Sequence, residues 1–221
     1  DVYKRQIYMS STSSEIKLDT FLETCQTGDI ILYNSNYWYS RLIEWGSGSK
    51  FSHISIILRD PTFINEKLTG LYILESSYED IPDSNTGEKV WGVQIIPMEH
   101  VLQEYKNSYV GNLYYRRLHT EKSEDFYTKL KECIKHTEGD KYDLNPLDWF
   151  KAEFQIDVGN TRKENTFWCS ALVGYVYCHM GFIDKDISWS ILPPRKFSHY
   201  ENDRLTYYNC VLAPEKLIKL G

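Results

Sequence analysis

One stretch of the sequence decides the fold: NTFWCSALVGYVY, residues 165–177. Its apolar residues recur at helical spacings of three and four, which predicts a buried helix: Phe167, Leu172, Val173, Val176 and Tyr177. Asn165 or Thr166 is expected to cap the N-terminus of this helix, and Gly181 is expected to end it. Cys169 then lies in the first turn, where free N–H groups and the positive end of the helix dipole stabilise a thiolate. Taken alone, the stretch still favours a simpler interpretation, in which Cys169 is a small buried side chain of a core helix.

Composition limits the classes of protein to consider. The chain has 221 residues and a formal net charge of −6, so its length suits one domain with a substantial core or two small domains. Its acidity argues against a nucleic-acid binder that neutralises phosphates. No apolar run approaches the length of a membrane span. The cysteines are scattered and form no CxxC pair, which argues against a disulfide framework and a zinc site. A reducing, cytoplasmic compartment is the simpler expectation, and the sequence requires no metal and no organic cofactor.

The first six residues, DVYKRQ, match what a common sequencing-library transposon end encodes when it is read in frame. We therefore expect them to be a cloning or assembly artefact, with a natural start at Met9 or upstream of the given sequence. Residues 1–14 are interpreted as artefact and polar lead-in, and residues 15–221 are expected to form a single domain. The compartment stays open, because a lost signal peptide would leave no trace, and so does the oligomeric state.

Alternation and helical spacing predict a mixed set of elements. The predicted strands span residues 30–33, 52–58, 71–75, 92–96, 112–118 and 205–212. The predicted helices span residues 15–25, 37–45, 98–105, 121–136 and 215–220, besides the helix that carries Cys169. Because strands and helices interleave, with hairpin-like loops between the early strands, the sequence predicts an α+β fold.

A cysteine hydrolase also needs a base and a group that orients the base. His53 is the strongest candidate for the base, since it opens an apolar strand just after a Gly/Ser-rich loop. Glu75 ends the next strand and reaches His53 if the two strands pair in antiparallel. Alone, His53 also fits the ordinary role of a half-buried histidine, and Glu75 also fits that of a solvent-facing carboxylate. Glu79 and Asp80 are weaker alternatives to Glu75, because they lie in a loop.

Three blocks of the sequence carry a resemblance to a known family. They are GDIIL at residues 28–32, SRLIEWGSGSKFSHISI at 40–56 followed by LYILES at 71–76, and FWCSALVGYVY at 167–177. Together they resemble the circularly permuted NlpC/P60 group of papain-like enzymes, in its YiiX/YebB-like branch, which is similar also to a poxvirus protein group. In ordinary papain-like enzymes the cysteine helix precedes the histidine strand. The permuted branch reverses this order, and so does this chain.

The resemblance implies Cys169 as nucleophile, His53 as base and Glu75 as the group that orients the base. It also implies a small antiparallel sheet or half-barrel packed against the helix of Cys169. The implied activity is that of a thiol hydrolase, a cysteine amidase or peptidase that cleaves peptide-like bonds, such as those of cell-wall peptides, through a thioester acyl-enzyme. Residues 97–162 align with nothing in the family, so the substrate is left open.

Two alternatives to the amidase stay open. The first is a lipid acyl hydrolase or acyltransferase of the same fold, and the second is a binding module without catalysis. The aromatic residues near the Gly/Ser-rich loop fit either a substrate cleft or a core. The residues expected to contact a peptide-like or acyl substrate are four aromatic residues and one serine: Tyr37, Trp38, Tyr39, Trp168 and Ser47. The backbone N–H of Cys169 is the expected oxyanion donor.

Overall fold

The computed structural model describes residues 14–35, 50–78, 80–106, 110–138, 141–142, 166–167 and 169–221. The described strands are β1 (Glu15–Lys17), β2 (Ile30–Ser35), β3 (His53–Arg59), β4 (Leu71–Tyr78), β5 (Trp91–Pro97), β6 (Gly111–Arg116), β7 (Leu118–His119), β8 (Lys141–Tyr142), β9 (Thr166–Phe167), β10 (Val211–Leu212) and β11 (Lys216–Lys219). The described helices are α1 (Leu18–Thr24), α2 (Met98–Tyr105), α3 (Glu124–Thr137) and α4 (Cys169–His179), with 3-10 helices at Trp189–Ile191 and Pro194–Phe197. The fold is therefore α+β, as the sequence predicts.

Most of the strands belong to one sheet. Nine of the described strands follow the order β1-β11-β6-β2-β3-β4-β5-β8-β9, and β10 pairs with β7 in a second sheet. The central pairings from β6 to β5 are antiparallel. The pairings of β1 with β11 and of β8 with β9 are parallel. The sheet is thus mostly antiparallel, and it is larger than the small sheet that the resemblance implies.

Both faces of the central strands are buried, because successive side chains of a strand point to opposite faces. In β3, Ile54, Ile56 and Leu58 join a hydrophobic cluster with residues of α3 and α4, whereas Ile57 joins a second cluster with residues of α1 and α2. Each buried aliphatic side chain of this kind stabilises the fold by roughly 1.5–3 kcal/mol. Helices on both faces explain why β3 has an almost continuous apolar sequence.

Helix α4 is buried on every side from residue 169 to residue 177. A Schellman motif closes its C-terminus, since the Gly181 N–H donates to Cys178 O at 3.0 Å and the Phe182 N–H donates to Tyr177 O at 2.8 Å. Gly181 has a φ of +71°, in the left-handed region that favours glycine. The rings of Tyr177 and Phe182 pack edge to face with centroids 5.6 Å apart. The prediction that Gly181 ends the helix is confirmed.

The predicted cap at the other end of α4 is wrong for Thr166. Thr166 lies in β9, which pairs in parallel with β8, so the backbone is extended there. The helix begins at Cys169, three residues further along the chain. Asn165 and Trp168 lie outside the described residues.

The helix predicted for residues 215–220 is also wrong, because Lys216–Lys219 forms strand β11. This strand pairs in antiparallel with β6 and in parallel with β1. An apolar run this short fits either a helix or a strand by its spacing alone. The free edge of β6 decides the outcome, because it offers hydrogen-bond partners to an extended segment. The helix predicted for residues 37–45 lies outside the described residues.

Three predicted elements are broken or shortened in the structure. Residues 15–25 form β1 followed by α1, since the first three of them pair with β11. Residues 112–118 divide into β6 and β7, because the Leu118 N–H donates to the buried carboxylate of Asp29 at 2.9 Å and leaves the ladder with β2. Of residues 205–212, only Val211–Leu212 is a strand.

Candidate active site

His53 is the first residue of β3 and lies opposite Tyr33 of β2. The Tyr33 ring lies edge-on to the imidazole, with centroids 4.8 Å apart and an interplanar angle of 70°. The Tyr33 hydroxyl is itself fixed by a 2.8 Å hydrogen bond with Ser55 Oγ. The His53 side chain remains 22% exposed. The imidazole is therefore held by a buried aromatic ring and is still open to solvent.

Glu75 reaches His53 because β3 and β4 pair in antiparallel. With Ile56 opposite Leu74, the end of β4 lies beside the start of β3. Glu75 Oε2 lies 2.8 Å from His53 Nε2, and the Glu75 side chain is only 3% exposed. The antiparallel pairing expected from the sequence is confirmed, and it brings the two side chains into a hydrogen bond.

Cys169 completes the group from a third element, as the first residue of α4. Its side chain is buried and lies close enough to His53 to raise the pKa of the imidazole. The three residues that the sequence singles out for nucleophile, base and orienting group thus meet in space.

The charges around His53 favour its protonated form. Burial lowers the pKa of the imidazole, but the negative charges and hydrogen bonds of Cys169 and Glu75 outweigh burial and raise that pKa well above its usual range. An imidazolium that persists at neutral pH stabilises a thiolate beside it. The arrangement therefore places a protonated imidazole, which can donate a proton, beside a cysteine sulfur.

Two polar residues that sequence reasoning missed extend this group. Ser77 Oγ donates to Glu75 Oε1 at 2.7 Å, and Gln94 Nε2 donates to Ser77 Oγ at 2.7 Å. Both side chains are buried, and Gln94 lies directly opposite Glu75 on β5. The signal that could have found Gln94 is a polar side chain in the middle of the apolar strand WGVQIIP.

The other cysteines lie in different surroundings. Burial raises the pKa of the Cys25 thiol, and it raises the pKa values of Cys133 and Cys210 to about 12. Cys178 is partly exposed, and its sulfur lies 3.6 Å from the backbone oxygen of Lys185. Because a thiolate is the reactive form, Cys25, Cys133 and Cys210 are poor nucleophiles at neutral pH.

Several residues that the sequence predicts for the site lie outside the described residues. The residues expected to contact the substrate are among them: Tyr37, Trp38, Tyr39, Ser47 and Trp168. The alternative carboxylate Glu79 lies outside them too. The remaining alternative, Asp80, is exposed and binds Lys89 Nζ at 2.5 Å. The first N–H groups of a helix have no intrahelical acceptor, so the start of α4 directs its free donors to the region around Cys169.

In the described ranges, no group of three or more His, Cys, Asp or Glu residues is placed to hold a metal ion. No helix within those ranges has the length and apolarity that crossing a membrane would require.

Comparisons with known proteins identify no family for the chain. No protein-family model matches it, and no curated protein sequence matches it. Among solved structures it is similar to that of the metalloprotein YiiX from Escherichia coli O157:H7, with a TM-score of 0.47 and 18% sequence identity. That likeness covers 88% of this chain and 97% of the YiiX chain. At this level of similarity, the chain's function has to be argued from its own residues.

Proposed function

We propose that this protein is a cysteine hydrolase that cleaves amide bonds through a thioester acyl-enzyme. The observation that carries the proposal is the group of three side chains: Glu75 Oε2 lies 2.8 Å from His53 Nε2, and Cys169, at the start of α4, lies close enough to raise the pKa of the imidazole. A buried core cysteine needs neither a charged imidazole nor a buried carboxylate, so the arrangement favours chemistry over packing.

The proposed reaction has two stages. The Cys169 thiolate attacks the substrate carbonyl carbon, and the His53 imidazolium then donates its Nδ1 proton to the leaving nitrogen. This breaks the amide bond and leaves a thioester on Cys169. In the second stage His53 takes a proton from water as the water attacks the thioester, which releases the acid and restores the thiolate. Glu75 holds the imidazole by accepting its Nε2–H throughout.

The oxyanion of each tetrahedral intermediate would form at the start of α4. The backbone N–H of Cys169 is the donor that we assign there. Loss of one such donor typically costs about 2.7–4 kcal/mol of transition-state stabilisation.

The proposed family is the permuted papain-like NlpC/P60 group, in its YiiX/YebB-like branch. It is supported by the order of the residues along the chain, with His53 and Glu75 before Cys169, and by the packing of α4 against β3 and β4. Peptide-like amides, including cell-wall peptides, are the proposed substrates. Acyl lipids and a role without catalysis are the alternatives, and the experiments below distinguish them.

Selective labelling of Cys169 tests the nucleophile. A limiting amount of iodoacetamide at neutral pH is expected to alkylate Cys169 at least about tenfold faster than the other cysteines, since only thiolates react. Peptide mapping by mass spectrometry measures the rate at each site. His53→Ala is expected to abolish the advantage of Cys169, and Cys178→Ser, which removes a partly exposed thiol, is expected to leave it unchanged. Labelling of Cys169 no faster than Cys178 would overturn the proposal.

Trapping of the acyl-enzyme tests the reaction class. Activated amides of short peptides and activated esters of fatty acids are offered separately, and intact mass spectrometry reads the added group. A peptidyl adduct that vanishes in Cys169→Ala supports the amidase. A fatty-acyl adduct alone points to the lipid acyl hydrolase or acyltransferase. No adduct from either class, with Cys169 shown to be reactive, argues for the binding module.

A further inference from the structure

The carboxylate of Glu75 is the starting point, because both of its oxygens are bonded. Oε2 faces His53 Nε2 at 2.8 Å, and Oε1 accepts from Ser77 Oγ at 2.7 Å. A carboxylate with only one oxygen bound rotates about its terminal torsion, which is broad. The bond from Ser77 removes that freedom and fixes the oxygen that faces the imidazole.

The donor directions along this chain of bonds follow from the chemistry of each group. Gln94 Nε2 has protons to give, so Ser77 Oγ accepts from it at 2.7 Å. The single hydroxyl proton of Ser77 is then given to the Glu75 carboxylate, whose oxygens are acceptors. Glu75 therefore accepts at its other oxygen too, and His53 carries a proton on Nε2.

The side-chain oxygen of Gln94 supports this reading. Gln94 Oε1 is buried, and no donor in the described part of the chain lies within hydrogen-bond distance of it. A buried, unpaired acceptor is costly and calls for a reason. Rotating the amide to pair Oε1 with Ser77 would leave that hydroxyl facing two acceptors with one proton. The unpaired oxygen is thus the consequence of holding an N–H donor towards Ser77.

We infer that Ser77 and Gln94 are positioning residues, which hold the Glu75 carboxylate on His53 and fix the imidazole in the form protonated at Nε2. This inference rests on the proposed function for its catalytic meaning. The groups that face His53 from the described elements packed against it are Glu75 of β4, Cys169 of α4 and the phenol of Tyr33 of β2. Ser77 and Gln94 act on His53 only through Glu75.

The test compares Ser77→Ala and Gln94→Met with the wild type in the full-length protein. NMR of the imidazole nitrogens gives the tautomer and the pKa of His53, and iodoacetamide gives the labelling rate of Cys169. Ser77→Ala is expected to lower the pKa of His53 by about one unit and to slow labelling about tenfold at neutral pH. Gln94→Met is expected to shift both in the same direction. It should leave the urea midpoint unchanged or higher, because it also removes the unpaired oxygen.

Two controls separate this positioning role from a structural one. Gln103 Nε2 also donates to a glutamate, Glu99 Oε1, at 2.9 Å but on the exposed surface of α2, so Gln103→Met is expected to change nothing. Because Gln94 acts through Ser77, the double variant is expected to match Ser77→Ala alone. Additive effects on the pKa of His53, or a neutral imidazole protonated at Nδ1, would overturn the inference.

The outcome also separates the inference from the proposed function. If Cys169 is selectively labelled in the wild type and neither variant changes the pKa of His53 or the labelling rate, the positioning role is wrong and the nucleophile stands. If the variants lower the pKa of His53 although Cys169 is no more reactive than Cys178, the positioning role stands and the proposed function fails.

Discussion

His53 is the residue at which the sheet and helix α4 meet. Its imidazole contacts Tyr33 from one hydrophobic cluster and Cys169 from the other. Glu75 binds the opposite ring nitrogen from the neighbouring strand. These partners on three elements restrict the orientation of the imidazole.

The alkaline side of the pH profile tests the role of Glu75. Because Cys169 and Glu75 raise the pKa of His53, the imidazolium persists above the ordinary histidine value of about 6.5. Glu75→Gln removes the negative charge of the carboxylate, so the pKa of His53 should fall. The pH at which the imidazolium loses its proton therefore moves down, as measured by NMR of the imidazole nitrogens between pH 5 and 10.

Asp80→Asn is the matched control for this prediction. Asp80 is an exposed carboxylate bound to Lys89, and its neutralisation is expected to leave the profile in place. A profile that is the same in Glu75→Gln and the wild type would show that the carboxylate does not act on His53.

At the scale of elements, α4 is held at a fixed depth against its neighbours. A Cβ added at Gly174 would lie 3.0 Å from Leu192 Cδ1 and 3.2 Å from the backbone oxygen of Trp189. The Tyr177 hydroxyl donates to Gly28 O at 2.9 Å, which ties the same helix to the loop before β2. Close packing at Gly174 thus sets the distance between α4 and the 3-10 helix at Trp189–Ile191.

Gly174→Ala is predicted to destabilise the protein. Alanine gains about 1 kcal/mol over glycine as a helix former. Overpacking against a backbone oxygen that cannot swing away costs about 1–3 kcal/mol. We expect the second effect to exceed the first, which urea unfolding measures as a lower midpoint with unchanged slope. A higher midpoint would mean that the 3-10 helix at Trp189–Ile191 shifts and makes room for the added methyl group.

Gly181 is a comparison for Gly174, because a substitution there is expected to act through backbone strain and not through packing. In the described part of the chain, a Cβ added at Gly181 would have no neighbour within 4 Å other than the adjoining residues, but the φ of Gly181 is +71°. Gly181→Ala is therefore expected to cost about 1 kcal/mol through backbone strain alone, and Gly181→Asn less, because asparagine tolerates this region. Equal losses in the two variants would contradict this assignment of strain.

At the scale of the molecule, buried polar residues join distant parts of the chain. Arg116, at the end of β6, donates to the backbone oxygens of Phe197, Leu212 and Ala213. Its Nε lies 3.7 Å from Glu215 Oε2, with both side chains almost fully buried. These contacts fasten the segment that follows α4 to the sheet, so the last quarter of the chain folds with the rest.

Arg116→Met is predicted to destabilise the protein by roughly 3–5 kcal/mol, because it leaves Glu215 buried without its cation. The double variant Arg116→Met/Glu215→Leu is expected to recover part of that loss, as measured by urea unfolding. Lys219→Met is the control, since the half-exposed pair of Lys219 with Glu15 should contribute less than about 1 kcal/mol. Glu215 also accepts from Ser198 Oγ and from the His199 N–H. A double variant less stable than Arg116→Met would show that these two hydrogen bonds matter more than the pair with Arg116.

The sequence predicted an element correctly where that element depends mainly on its own residues. Helix α2 spans the predicted residues 98–105, and Gly181 ends α4 as expected. The helix predicted for residues 215–220 is wrong, because an apolar run this short fits a helix or a strand equally well. Pairing with the open edge of β6 made it a strand. His53 and Glu75 lie close together because β3 and β4 pair in antiparallel, with Ile56 opposite Leu74. The predicted end of the second strand at Glu75 is wrong, because β4 continues to Tyr78.

The sequence by itself determined the local elements and the candidate side chains that they carry: a cysteine opening a buried helix, a histidine opening an apolar strand and a glutamate in the next strand. Only the tertiary structure decided that these three side chains meet, and that Ser77 and Gln94 continue the hydrogen bonds from Glu75. The physical reason is the distance along the chain over which each interaction acts. Helix ends and strand faces depend on neighbours a few residues away, whereas the contact of Cys169 with His53 depends on strand register, sheet order and the depth of α4. These are fixed only when both hydrophobic clusters pack.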